Sequence, residues 1–571
     1  MLHKIKTNQP FYEFVGGGAG VGKSRLISAM YQTLNHRLNS VPGSNPSSLK
    51  VLLSAPTGKA AFGIGGLTLH SIFSLPVNQS NRDLRPLSND LVNSIYSKLI
   101  DLKLIIIDEI SMVGARMFSS IDARLKQIFK TNSPFGGISV ILFGDLRQLS
   151  PVGDRWIFSP NPSDNYSVLV GSLLWELFKY FELTEVMRQR GDQPFAIALN
   201  NMASGIMTSA DISLINSRIV SLNQVPNEAI HLFWSNEESN NFNALKLSQI
   251  STSAILSTAK DVVKGIAIGG QTSNILDRVK LFKNSETQGL SYNLTLKTTA
   301  KYMITVNINT GDGLVNGATG QLMHIDFESS MPSTLWLKFL EPSVGLLARS
   351  RKSHPSDASW TPIEKTVRTF QYKRNEQITV ERNQFPVVPA EGITIHKSQG
   401  ATYSKVVVHT RARMPRAALY VACSRATSAD GLFILGNFVP PCPFTESDPV
   451  FKELVDLKTS KSLTSTFSFM LSRTSKLQII YHNAQSLHAH IDDVRSDYLM
   501  MTSDILCFVE TWSYPSENFE IPGLCQLNDL RIDSTTTRNR NKRGILVYAK
   551  TEMASSIQLC RTIQKYSLRK T

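Results

Sequence analysis

The stretch GGGAGVGKS, residues 16–24, decides the fold. Gly17 and Gly22, then Lys23 and Ser24, give the spacing G-x-x-x-x-G-K-S of a phosphate-binding loop. In such a loop the backbone from Gly17 through Gly18, Ala19, Gly20, Val21 and Gly22 cradles phosphate oxygens. The lysine ammonium reaches the β/γ-phosphates, and the serine hydroxyl takes a magnesium ion. A nucleoside triphosphate with Mg²⁺ is therefore expected. What it drives is left open, because a kinase, a switch and a motor begin alike.

Working outward, four short apolar runs each end in polar chemistry. FYEFV (11–15) runs into the loop and VLLSA (51–55) into PTGKAA. LKLIIID (102–108) runs into Glu109, and ISVILFG (138–144) into Asp145. Rich in Val, Ile and Phe, they read as buried parallel strands. Leu26, Ile27, Met30 and Leu34 mark a helix after the loop. A doubly wound α/β sheet binds its ligand at the carboxyl ends of its strands, so all four endings converge on one triphosphate.

The bulk numbers narrow the class. At 571 residues the chain holds three or four domains. No run of about 18 apolar residues suits a membrane span, and the opening MLHKIKTNQP lacks the apolar core of a secretory leader. Five cysteines lie scattered without C-x-x-C spacing, as reduced thiols of an intracellular protein do. A formal charge of +15 suits a polyanionic partner, nucleic acid first.

Residues 220–440 repeat the α/β style, with strand-like HLFWSN (231–236), SKVVVHT (404–410) and GLFILG (431–436). Within them, 300–385 reads as a meander of short strands with glycine turns, a small β-barrel inserted into the second domain. Its RSRKSH run (349–354) reads as a solvated loop. The expected division is a first α/β domain at 1–190, a second at 191–299 and 386–436, and the barrel at 300–385. A Pro/Ser/Thr-rich linker at 437–474 and a last α/β segment at 475–571 follow.

Asp108 and Glu109 end a run of four aliphatics: one carboxylate can hold Mg²⁺ and the other can polarise the attacking water. Phosphoryl transfer needs positioning and charge neutralisation rather than covalent help. Gln148, beyond the fourth strand, can sense the γ-phosphate and report to the second domain, while Arg147 reads equally as a structural cation. Arg188 in LTEVMRQ (183–189) and Arg425 in YVACSRATS (420–428) are candidate arginine fingers.

PTGKAA, GGLTLHS (65–71), IIDEISM (106–112), PFGGI (134–138), GDLRQLSPV, LTEVMRQ, DGLVNGATG (312–320), QFPVVPAEGITIHKSQG (384–400) and YVACSRATS occur in one order. That order resembles the superfamily 1 DNA helicases of the petite-integration-frequency (Pif-one) family, including those of Helitron-type mobile elements, over about residues 11–436. The resemblance implies two RecA-like domains with an SH3-like barrel inserted in the second. It implies ATP-driven 5′→3′ translocation on single-stranded DNA, separation of duplexes, and work in repair, recombination, telomere maintenance or transposon replication in the nucleus. By resemblance, Lys23 and Ser24 bind ATP·Mg²⁺, Asp108 holds the metal, Glu109 activates water, Gln148 couples, and Arg188 and Arg425 contact the γ-phosphate. Thr57, Lys59, Thr68, His70, Thr394, His396, Lys397 and Ser398 match motifs that line the DNA strand. Short hydroxyls, lysines and imidazoles suit phosphate contacts without base reading. Taken alone, His70 and His396 would read as core or capping residues. The oligomeric state is left open.

Two departures stand out. The family's glutamine-containing adenine element lies upstream of the loop, yet sixteen residues precede Gly17, which points to an N-terminally incomplete chain. Ser150 stands where the family has proline. The tail carries its own resemblance: LQIIYHNAQSL (477–487), SDILCFVETW (503–512) and RGILVYAK (543–550) are similar to the opening half of the endonuclease/exonuclease/phosphatase fold. Asn483 and Glu510 match metal-placing residues there. The later Asp-x-Asn and Ser-Asp-His elements have no counterpart before Thr571, and basic STTTRNRNKR (534–543) reads as a flexible loop.

Overall fold

Four consecutive aliphatics at Leu104–Ile107, all buried, require a strand covered on both faces. They lie inside a six-stranded, wholly parallel sheet. Its strands are β1 (Tyr12–Gly17), β2 (Val51–Ala55), β3 (Leu67–Thr68), β4 (Leu104–Ile107), β5 (Ser139–Gly144) and β6 (Lys179–Leu183), ordered β3-β2-β4-β5-β1-β6. The computed structural model describes residues 9–41, 43–76, 84–160, 172–184, 192–265, 271–373, 378–463, 477–484, 486–497, 500–501, 503–531, 544–554 and 557. The chain divides into two units, Met1–Leu463 and Thr464–Thr571.

Helix α1 (Lys23–Asn39) leaves β1 through the phosphate loop, with Gly22 at φ 85° as its N-cap, a conformation that favours glycine. The two edge strands escaped the sequence reading because β3 has two residues and β6, KYFEL, mixes polar and apolar residues without a buried run. PFGGI has a structural cause: Phe135, at φ 50°, donates its N–H to Asp122 and buries its ring against Tyr12, Phe118 and Phe178.

A second parallel sheet follows, of β7 (Ile230–Phe233), β8 (Gly392–Thr394), β9 (Val406–His409) and β10 (Leu432–Leu435), ordered β8-β7-β9-β10. The chain between β7 and β8 forms antiparallel sheets of five, three and two strands. These take in 255–264 and 293–296 as well as 301–389, so the inserted meander is larger than the expected 300–385. Arg382, wholly buried, ties the three-stranded sheet by a double hydrogen bond to Asp261 at 2.8 and 2.7 Å.

The linker expectation is corrected. Residues 449–459 form a helix, capped by Asp448, whose Val450 and Leu457 join the first sheet's core. Trp175 Nε1 donates to Glu453 at 2.6 Å, and Lys458 pairs with Glu182 at 2.9 Å. The Pro/Ser/Thr flanks hide an apolar face that needs β6 for cover. Residues 464–476 lie outside the described residues, as does STTTRNRNKR.

In the second unit, strands Ile479–Asn483, Ile505–Val509, Leu524–Gln526 and Ile545–Lys550 form a mixed four-stranded sheet. Along its first strand Ile479 and Tyr481 are 56% and 71% exposed. One apolar face of this edge is therefore uncovered within the unit.

Between β7 and β9 lies a histidine pair, one buried and one half-buried: His231 Nδ1 stands 2.9 Å from His409 Nε2, with the His409 ring stacked on Phe233 at 4.0 Å. Burial, and then His409, pushes His231 down to about 3; burial pushes His409 down to about 4. Unfolded histidines take up protons near pH 6.5, whereas the folded pair resists. Stability is therefore fully present above pH 6.5 and falls as the pH drops toward 4. The melting temperature of the native chain should fall between pH 7.5 and 5, and a His231→Gln/His409→Gln variant should lose less over that interval. An equal or larger loss in the variant refutes the assignment.

Candidate nucleotide site and nucleic-acid track

The strand ends converge as their polar endings require. A cleft of about 330 Å³ is lined by the loop from Ala19 to Ser24, by Asp108, Glu109 and Gln148, and by Gly400 and Arg425 of the second sheet's domain. Lys23 Nζ donates to the carbonyls of Gly17 and Gly18, each at 2.8 Å. Burial pulls Lys23 below the ordinary lysine range, opposed by Asp145, Glu109 and Asp108.

Asp108 accepts the Glu109 N–H at 2.8 Å. Burial first, and Glu109 second, push its carboxyl up to about 7. Glu109, at φ 52°, carries a solvent-shielded Oε2 with no hydrogen-bond partner. A buried orphan carboxylate oxygen is costly unless a ligand, a cation or water claims it. The donors fit Mg²⁺: a serine hydroxyl and an acidic carboxylate beside a phosphate loop are hard oxygen ligands.

Gln148 is buried and accepts from Gln399 Nε2 at 3.1 Å, and the same amide donates to Ser111 Oγ at 3.0 Å. Arg425 is buried, donating to the carbonyls of Val421 and Ala401 and to Ser424 Oγ. Arg147 donates a pair of hydrogen bonds to the Asp145 carboxylate, at 2.9 and 3.2 Å. Arg188 lies outside the described residues.

The residues matched to the DNA track divide. Thr57 caps helix α2 (Gly58–Gly63), and Thr68 caps Leu69–Ile72. Lys59 reaches inward, lining the cleft 5.2 Å from the Tyr403 ring centre. His70 and His396 are half-buried, and burial lowers both below the usual imidazole value. Lys397 is exposed and Thr394 buried. Ser398 is wholly buried and donates to the Ile395 carbonyl at 2.7 Å. In the second unit, Asn483 and Glu510 stand at the ends of neighbouring parallel strands, Asn483 in register with Val509.

Three side chains escaped the sequence reading. Trp234, half-buried, lies 5.6 Å from His396 with the Arg411 guanidinium 5.2 Å from its ring centre. Gln399 bridges to Gln148 as above. Tyr420, on helix α3 (Arg416–Cys423), accepts the Ala19 N–H at 2.7 Å and donates to Asp145 Oδ2 at 2.8 Å. The available signal was a hydroxyl inside the apolar run AALYVAC, since a buried hydroxyl demands partners.

Two parallel sheets closing on a phosphate-loop cleft, with β-sheets inserted in the second, define an α/β helicase fold. Residues 1–209 match the family model of PIF1-like helicases. The fold is similar to that of Bacteroides Pif1 bound to single-stranded DNA, at 25% identity and a TM-score of 0.57, covering 80% of this chain and 95% of that one. It is likewise similar to the Pif1 helicase of Candida albicans, at 24% and 0.57, covering 80% and 98%. Among curated relatives, the ATP-dependent DNA helicase PIF1 of Candida albicans is 28% identical over 500 residues, 74% of this chain and 52% of the relative. The Pif1 helicase of Campylobacter jejuni is 28% identical over 432 residues, covering 74% and 88%. The chain spans about half the length of the first of these relatives.

If the Tyr420 hydroxyl joins the loop to the second domain, Tyr420→Phe should lower the turnover of a saturated nucleotide about tenfold, a loss of ~1.4 kcal/mol. The dissociation constant for ADP should stay within about twofold, because the turn at Gly20–Ser24 is untouched. A loss of ADP affinity with turnover preserved would show a plain binding residue instead.

Proposed function

We propose that this chain is an ATP-dependent DNA helicase of the PIF1-like family, moving 5′→3′ on single-stranded DNA and opening partly duplex DNA. The observation that carries the reading is the convergence of Lys23, Asp108, Glu109 and Gln148 from one sheet with Arg425 from the other on a single cleft. A nucleotide kinase has no use for the second face. Ser24 and Asp108 would hold Mg²⁺, which neutralises phosphate charge when bound. Lys23 steadies the β/γ-phosphates, Glu109 takes a proton from the attacking water, and Arg425, with Arg188, meets the charge developing at the γ-phosphate. Gln148 reports through Gln399.

On the DNA side, we assign the strand to His70, His396, Lys397 and Trp234, with Thr57, Lys59, Thr68 and Thr394 shaping the track by capping and packing. Trp234 offers a π-face on which any base stacks, worth ~1–3 kcal/mol per base. The inserted sheets are read as the SH3-like barrel of the family. The domain limits of 1–190 and 191–436 remain our division, and nuclear work in repair, recombination, telomere maintenance or transposon replication is part of this proposal.

ATP hydrolysis should be stimulated by single-stranded DNA. Lys23→Ala and Glu109→Gln should each abolish it, and Glu109→Gln should still bind ATP. Unwinding should need a 5′ tail, and DNA affinity should fall steeply with salt because most contacts are to phosphate. Full hydrolysis in either variant overturns the motor reading, and equal unwinding from a 3′ tail overturns the polarity.

The second unit is read as a nuclease-like half that does not cut. Asn483 and Glu510 could place one magnesium ion, but hydrolysis also needs a group that orients water and one that steadies the leaving oxygen. Supercoiled DNA incubated with the intact chain and Mg²⁺ should stay closed. Nicking that disappears in Glu510→Ala would make the protein a helicase–nuclease.

A further inference from the structure

The RSRKSH run is not the solvated loop expected of it. Its first half ends the helix Leu346–Arg351, and its histidine packs back onto the sheet. The His354 ring lies 4.8 Å from Trp336, 4.6 Å from Trp360 and 5.0 Å from His324, centre to centre. We propose that His324, Asp326 and His354 form a binding site for one transition-metal ion of the zinc class, which pins this segment to the inserted five-stranded sheet.

The donor atoms of the three residues all lie within 4.8 Å of one another. His324 and Asp326 are two apart on the strand Thr319–Glu328, and the pairing register is unbroken from one to the other, so both face the same side. Trp336, opposite His324, donates its Nε1–H to Asp326 Oδ2 at 2.8 Å. That bond leaves Oδ1 facing His324 Nε2 at 3.5 Å. Metal-ligating carboxylates are steadied by outer hydrogen bonds of this kind. Two imidazoles and a carboxylate suit Zn²⁺, and Co²⁺ or Cu²⁺ as probes, whereas Mg²⁺ prefers oxygen ligands with near-octahedral geometry.

Metal–ligand bonds of about 2.0–2.2 Å require the donors to draw together. The side chains of His324 and Asp326 are 51% and 36% exposed, so both can rotate without disturbing the core. His354 Nδ1 accepts the Ser356 N–H at 3.1 Å, and ligation exchanges this contact for one with water at an exposed amide. The nearby cation, Lys352, has Glu364 at 3.7 Å as its partner.

The test is calorimetric titration of the metal-stripped full chain with Zn²⁺ in excess Mg²⁺, followed by thermal melting and Co²⁺ absorption. One equivalent should bind, raise the melting temperature and give a visible cobalt band. Asp326→Asn, His324→Gln and His354→Gln should each lose that equivalent and the thermal gain. Trp336→Phe should weaken binding about tenfold. Any variant whose metal-free melting differs from the native chain is set aside in favour of the other two. Absence of zinc binding, or binding unchanged in Asp326→Asn and His324→Gln, overturns the proposal.

Discussion

Between Ala19 and Asp145 stands a single phenolic oxygen, that of Tyr420, accepting the amide of one and donating to the carboxylate of the other. The contact joins three segments: the phosphate loop, the turn after β5 and helix α3, which carries Tyr420 itself. Burial, with Asp145 beside it, pushes the Tyr420 hydroxyl up, so it remains a donor throughout the physiological range. Asp145 spends its other lone pairs on Arg147, and a Cβ on Gly18 would stand 2.9 Å from Arg147 Nη2. In a low-dielectric cleft such bonds are strong when complete and costly when broken. A shift in any one of these segments is thus felt by the other two.

Around that joint the cleft holds charges that a stable fold would otherwise avoid. Asp108 and Glu109 crowd each other behind half-buried Lys23, and Glu109 keeps an oxygen without a partner. Replacing such groups with apolar ones commonly stabilises a protein, so their presence is best explained by a ligand that supplies the missing charge and donors. A perturbed acid in a cleft, as Asp108 is, marks a functional site for this reason.

The inserted sheets contribute a different constraint, which is closeness. A Cβ on Gly58 would meet Asn307 Oδ1 at 2.4 Å and Val315 Cβ at 2.7 Å, and one on Gly313 would meet the Phe62 ring at 2.8 Å. The segments around PTGKAA and DGLVNGATG, far apart in the chain, carry glycines at 58 and 313 because side chains of one press on the backbone of the other. The insertion therefore rests directly on the helix that follows β2, beside the nucleotide cleft.

The sequence alone determined the phosphate loop, the four buried strands and the acids at their ends. Each of these is a local pattern: a turn chemistry, an aliphatic run, a carboxylate pair placed by one strand. The order of motifs carried the second domain and the candidate roles with it. Only the tertiary structure decided what distant side chains do to one another. Ser398 matches a strand-lining motif beside His396 and Lys397, and packing alone decides that it is buried. Residues 449–459 read as linker until β6 and Trp175 supply the surface their apolar face covers. Tyr420, Gln399 and Trp234 acquire meaning from partners between 162 and 401 residues away, or across a cleft, and His354 from a strand thirty residues earlier. Periodicity and spacing record what a residue's neighbours in the chain require, whereas burial and hydrogen-bond partnership are set by neighbours in space.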